Sequence, residues 1–81
     1  MTEVTIPTIK KFKAGTADMV SSLSLVVMFD SAFNSTPRVV VTPKQDMGNI
    51  RHWVEGITVS QFTLRMSFTS TKSFDWIALE F

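Results

Sequence analysis

The chain has 81 residues, 44% of them apolar, and a net charge of +1 from eight Lys and Arg against seven Asp and Glu. That length makes one domain near the lower limit at which a core alone holds a fold, and so even a charge balance argues against nucleic acid, which calls for a concentrated basic face. Cysteine is absent and histidine occurs once, which excludes disulfide staples and leaves too few ligands for zinc.

Residues 1–13 alternate weakly, with Val4, Ile6, Ile9 and Phe12 apolar. Pro7 lacks the N–H that a ladder needs, so this stretch reads as an edge strand or an arm that crosses to a neighbouring subunit. Lys10, Lys11 and Lys13 read as solvating charges that blunt an edge. No basic region leads into an apolar run and no stretch reaches membrane-spanning length, so neither a signal peptide nor membrane insertion is expected. Residues 14–22 are small and polar, with Gly15, Asp18 and a Ser pair, and read as a connector.

Residues 23–29 form the next expected strand. Leu23, Leu25, Val27 and Phe29 share one face, and Ser24, Val26 and Met28 the other. Residues 30–37 are a loop ending in Asn34, Ser35, Thr36 and Pro37, with Phe33 tucked back under the sheet. Residues 38–42 are β-branched and short, a strand stopped by Pro43. The loop of residues 44–49 carries Gly48 at an expected positive φ. In residues 49–58, Ile50, His52 and Val54 face opposite to Arg51, Trp53 and Glu55, and Gly56 marks a bulge or the strand end.

The last twenty-one residues, Gln61 to Phe81, carry the clearest pattern. Phe62, Leu64, Met66 and Phe68 alternate with Thr63, Arg65, Ser67 and Thr69. Residues 70–73 read as a polar turn, and Phe74, Trp76 and Ala78 then alternate with Asp75, Ile77 and Leu79. This predicts an antiparallel hairpin whose second strand, apolar on both faces, holds a central or interface position. No helical period is sustained anywhere. Five or six strands with turn signals between them predict an all-β sandwich or barrel, and two-sided apolar strands in so small a domain predict oligomerisation.

Catalytic patterns are not found. His52 shares its parity with Ile50 and Val54, which suits a core or interface histidine better than a general base. No nucleophile elbow, paired-carboxylate spacing or phosphate-cradling loop accompanies it, and the chain is expected to be neither an enzyme nor a cofactor protein. Arg51, Trp53 and Glu55 remain as binding groups. Either Arg51 pairs with Glu55 beside a covered Trp53, or the three serve sugar hydroxyls through charged forks and an aromatic face.

Two stretches together resemble the H-type lectin family, which includes a snail agglutinin and the C-terminal domains of slime-mould discoidins. One is FDSAFNSTPRVVVT, with Phe29, Phe33 and Pro37. The other is NIRHWVEGITVSQFTLRMSF followed by DWIALEF, with Arg51, Phe62 and Trp76. The resemblance spans residues 14–81, leaving 1–13 as the strand or arm. It implies a six-stranded antiparallel β-sandwich that assembles as a parallel homotrimer, with sites for galactose- or N-acetylgalactosamine-type sugars in clefts between subunits. It also implies Asp18 and Arg51 as carbohydrate-binding residues of one subunit. The facing hairpin reads SFTSTKSF where the family carries Trp-His and a later Tyr; Phe68 stands for the tryptophan, Thr69 for the histidine and Phe74 poorly for the tyrosine. This hairpin and the residue 44–48 loop are shorter than in animal members. H-type domains occur in phage fibres and spikes, which leave the cell by lysis. A virion-surface or extracellular protein that touches host glycans is therefore expected, with other virion proteins as further partners. The alternative is a purely structural decoration, fibre or tail component that binds no sugar.

Overall fold

A computed structural model describes residues 8–81 of the chain; Val4, Ile6 and Pro7 of the expected N-terminal strand or arm lie outside the described residues. Four strands make one antiparallel sheet: β1 (Lys11–Met28), β2 (Arg38–Pro43), β3 (His52–Glu55) and β4 (Gln61–Glu80). No helix occurs among the described residues. β4 is central, as its two-sided apolar pattern predicted. It pairs with β1 along one edge, and with β3 and then β2 along the other.

Two expectations fail together. Residues 70–73 are not a hairpin turn, and residues 14–22 are not a connector; each lies within a long strand. The run STKS contains no Gly, Pro or Asn to reverse the chain, and β1 supplies an extended partner on both sides of it. Four strands therefore stand where six were expected. Small residues misled the reading of β1. Ala17 and Met19 are buried there, and Gly15 lies opposite Trp76, where an added Cβ would sit 2.9 Å from Cζ2 of the indole. Gly15 is thus required by close packing on an aromatic ring, not by a turn.

Both long strands bend in the middle. Between the pairs Met19↔Lys72 and Ser24↔Arg65, residues 20–23 of β1 stand opposite residues 66–71 of β4, so β4 carries two extra residues. Such an insertion bends the bulged strand and increases its twist. Ser21 takes up the change on β1 with φ 47°, in the left-handed region, and its N–H donates to Thr71 Oγ1 at 3.2 Å.

The aromatic rings show how far the bend goes. Phe62 and Trp76, fourteen residues apart in one strand, have ring centroids 5.5 Å apart. A straight strand would separate them by about 46 Å at roughly 3.3 Å per residue. The two halves of β4 therefore face each other, and the sheet closes over a core made from its own inner face. Phe62, Leu64 and Met66 come from one half, Phe74 and Ala78 from the other, and Ala17 and Met19 from β1. Phe29 joins the layers, meeting Phe33 edge-on at 5.0 Å, Phe62 at 5.8 Å and Trp76 at 5.6 Å. Phe33 is buried, as expected for a residue folded under the sheet.

The loop that carries Phe33 is held by a buried carboxylate. Glu80 Oε2 accepts the backbone N–H groups of Asn34 at 2.7 Å and Ser35 at 3.0 Å. On the far side of the loop, Lys13 pairs with Asp30 and donates to Ser31 Oγ at 3.0 Å.

Candidate functional site

The residues that the sequence singled out lie along the bend of β4, on both of its edges. Asp18 lies opposite Ser73 in the β1–β4 ladder, and its Oδ1 accepts the Ser73 hydroxyl at 2.7 Å. On the other edge of β4, Arg51, the residue before β3, donates its N–H to Ser67 Oγ at 2.9 Å, and the Ser67 N–H returns to Arg51 O at 2.9 Å. Phe68 and Thr69 lie between Ser67 and Ser73, and both are exposed. All four candidates therefore border one arc of β4, residues 67–73. No ion pair joins Asp18 to Arg51 among the described residues.

The arc is braced from both edges. On the β1 side Ser21 reaches Thr71, as above. On the other side the loop between β2 and β3 grips it: the Ser73 N–H donates to Gln45 Oε1 at 3.0 Å, and Lys72 Nζ to the Asp46 carbonyl at 3.2 Å. That loop is shaped by Gly48, whose φ of 59° matches the expectation and whose N–H donates to Asp46 Oδ1 at 2.8 Å. Ser67 and Ser73, the two anchors, were not singled out from the sequence. Their only signal there was a hydroxyl at each end of a polar run.

The β3 group differs from its expectation. Glu55 does not pair with Arg51. Its Oε1 accepts the Trp53 indole N–H at 3.0 Å and lies 3.5 Å from Arg65 Nε. Strand register explains the exchange. Arg65 stands directly opposite Trp53, one step along the ladder from Glu55, whereas Arg51 lies beyond the end of β3. Arg65 Nε is shielded from solvent and makes no hydrogen bond of its own. Trp53 is 43% exposed, so no other strand covers it among the described residues. His52 points inward and packs on Phe74, with centroids 5.3 Å apart, a structural role in keeping with its parity.

Apolar side chains crowd one outer face. On the half-sheet formed by β2, the C-terminal half of β4 and the N-terminal half of β1, the register aligns Phe12, Leu79 and Arg38 in one row and Ala14, Ile77 and Val40 in the next. Phe12 is 64% and Val40 53% exposed. The described residues of a single chain form no pocket and hold no cluster of metal-ligating side chains. Comparison with family models and with curated proteins gives no match.

Proposed function

We propose that the chain is a non-catalytic carbohydrate-binding protein of H-type lectin architecture. It works as a homotrimer, on a virion surface or otherwise outside the cell, and touches host glycans. The observation that supports this reading is that Asp18 and the Arg51 backbone are hydrogen-bonded to the two ends of the arc of residues 67–73, on which Phe68 and Thr69 are exposed. An acid, a guanidinium and an exposed aromatic ring are the groups that take sugar hydroxyls and the C–H face of a pyranose.

The two outer rows, in which Phe12, Ala14, Val40, Ile77 and Leu79 stand beside Arg38, support assembly, because a monomer gains nothing by leaving such apolar side chains in water. The Cα radius of gyration, 14.1 Å, also exceeds the roughly 11–12 Å of a compact domain of this length. A trimer brings three weak sites together and raises avidity without new contacts. The ligand class is galactose or N-acetylgalactosamine by resemblance. Calorimetric titration or a glycan array with wild type, Asp18→Ala and Arg51→Ala tests the site: both variants lose binding, and equal binding by all three refutes it. Sedimentation tests the assembly, with a mass three times that of the chain expected.

A second reading has its own support. Val26, Met28 and Val40 are each more than half exposed, which suits a structural virion component that uses the same fold as glue. A broad glycan screen without hits, together with stoichiometric incorporation into a particle, selects it over the first.

A further inference from the structure

We infer a second saccharide-binding surface, on the outer face of β3 and the N-terminal half of β4, separate from the bend and complete within one chain. It shares a ligand class with the proposal above but none of its residues, and it needs no neighbouring subunit.

Trp53 and Glu55 sit two apart on β3 and face outward together. Arg65 lies across the ladder from Trp53, and Thr63 from Glu55; Ser24 continues the first row onto β1. An exposed indole is thus surrounded by a guanidinium, a carboxylate and two hydroxyls. Val26, also exposed, stands across the ladder from Thr63 on this face, so the surface is mixed rather than purely polar. The centre of a protein interface is depleted of charged groups, and the guanidinium and carboxylate placed beside the indole suit a sugar better than a second copy of the chain.

The polar groups are fixed before any ligand arrives. Glu55 Oε1 holds the Trp53 N–H at 3.0 Å, which orients the ring, and keeps Arg65 Nε at 3.5 Å. Glu55 Oε2 and the terminal nitrogens of Arg65 have no protein partner among the described residues. The Arg65 and Glu55 side chains are each about half exposed beside the indole, which leaves one acceptor and one planar donor fork available there. Two adjacent sugar hydroxyls satisfy both, with charge-assisted hydrogen bonds, while the C–H face of the pyranose covers the ring. Since the surface is flat, binding is weak for a single sugar.

The test uses the intact, isotope-labelled chain and the two indole N–H resonances, assigned by their loss in Trp53→Phe. Methyl glycosides of galactose, glucose, mannose and N-acetylgalactosamine are titrated in turn. The Trp53 signal is expected to move with at least one of them, and the signal of Trp76, which faces the core, to stay. Arg65→Lys keeps the charge but not the fork and weakens the response about tenfold, the loss of roughly one charge-assisted hydrogen bond. An unchanged Trp76 signal shows that the variant is folded. Asp18→Ala leaves the Trp53 response intact, which separates this surface from the bend. The inference is overturned if no glycoside moves the Trp53 signal, or if the response vanishes in Asp18→Ala and survives in Arg65→Lys. It is equally overturned if the signal moves with protein concentration alone, since a second copy then covers the face.

Discussion

The fold-back of β4 makes a quantitative claim about Phe62 and Trp76. In one strand they are fourteen residues apart, yet their rings meet nearly edge-to-face, at 5.5 Å and 69°. Aromatic pairs in that geometry contribute about 0.5–1.5 kcal/mol beyond the area they bury. Leucine at each position removes the ring pair while keeping apolar bulk. A domain of this size has roughly 4–12 kcal/mol of stability in total, so two moderate substitutions leave it folded enough to measure. The assay is urea denaturation of wild type, Phe62→Leu, Trp76→Leu and the double variant, followed by far-ultraviolet circular dichroism because one tryptophan is removed. The coupling energy of the cycle is expected at about 0.5–1.5 kcal/mol. Additivity within about 0.3 kcal/mol, as for residues far apart, refutes the fold-back of β4.

Three other perturbations probe the same architecture. Gly15→Ala places a methyl 2.9 Å from Trp76 Cζ2 and should cost about 1–3 kcal/mol by overpacking, a fall in melting temperature of roughly 4–8 °C per kcal/mol; an unchanged midpoint removes the packing argument for that glycine. Ser21, at φ 47°, should lose about 1–3 kcal/mol on replacement by valine, whose branched Cβ resists the left-handed region, and lose nothing on replacement by glycine. Equal stability of all three in thermal melts counts against a strained bend. For Glu80, the N–H of Ser35 first and that of Asn34 second hold the carboxyl below its ordinary value of 4.5. A folded pKa below the unfolded one gives stability that is present above 4.5 and is lost as pH falls through the folded value. Glu80→Gln should therefore flatten the acid limb of a stability profile taken from neutral pH downward. Asp30, lowered by its hydrogen bond and charge pairing with Lys13, acts in the same direction.

Alternation revealed the inner faces well, because each buried side chain declares its own parity. Phe62, Leu64 and Met66, and then Phe74 and Ala78, line the core as their spacing predicted, whereas Phe68, which shares the first three residues' parity, is exposed because the bulge interrupts the alternation there. Topology was harder to read. A polar run inside a strand pattern looks the same whether the chain reverses or merely bulges, and only the partner strand decides. β1 itself was hidden because Gly15 and Ala17 are small for the sake of Trp76 and the core, and small residues carry little periodicity. The Glu55 contacts failed for a related reason. Residues 51 and 55 share parity within one segment, but the decisive neighbour is Arg65, placed by register across the ladder, and register is a long-range property.

The bend is where these threads join. Two residues inserted in β4 against β1 close the sheet, bring Phe62 onto Trp76, and turn outward a polar arc that buries nothing. A bulge presents side chains from a rigid ladder rather than from a loop. Ser67 and Ser73 tie the arc to Arg51 and Asp18 through hydrogen bonds of 2.9 and 2.7 Å, Gln45 and Asp46 hold Ser73 and Lys72 at its end, and Thr71 accepts the Ser21 N–H. Bulges recur where a strand must re-aim side chains. The arc's composition needs such an explanation, since three hydroxyls and an exposed Phe68 in a row contribute little to stability. Closure of the sheet and display of the arc are thus two consequences of one insertion. Removing the extra residues should cost both at once.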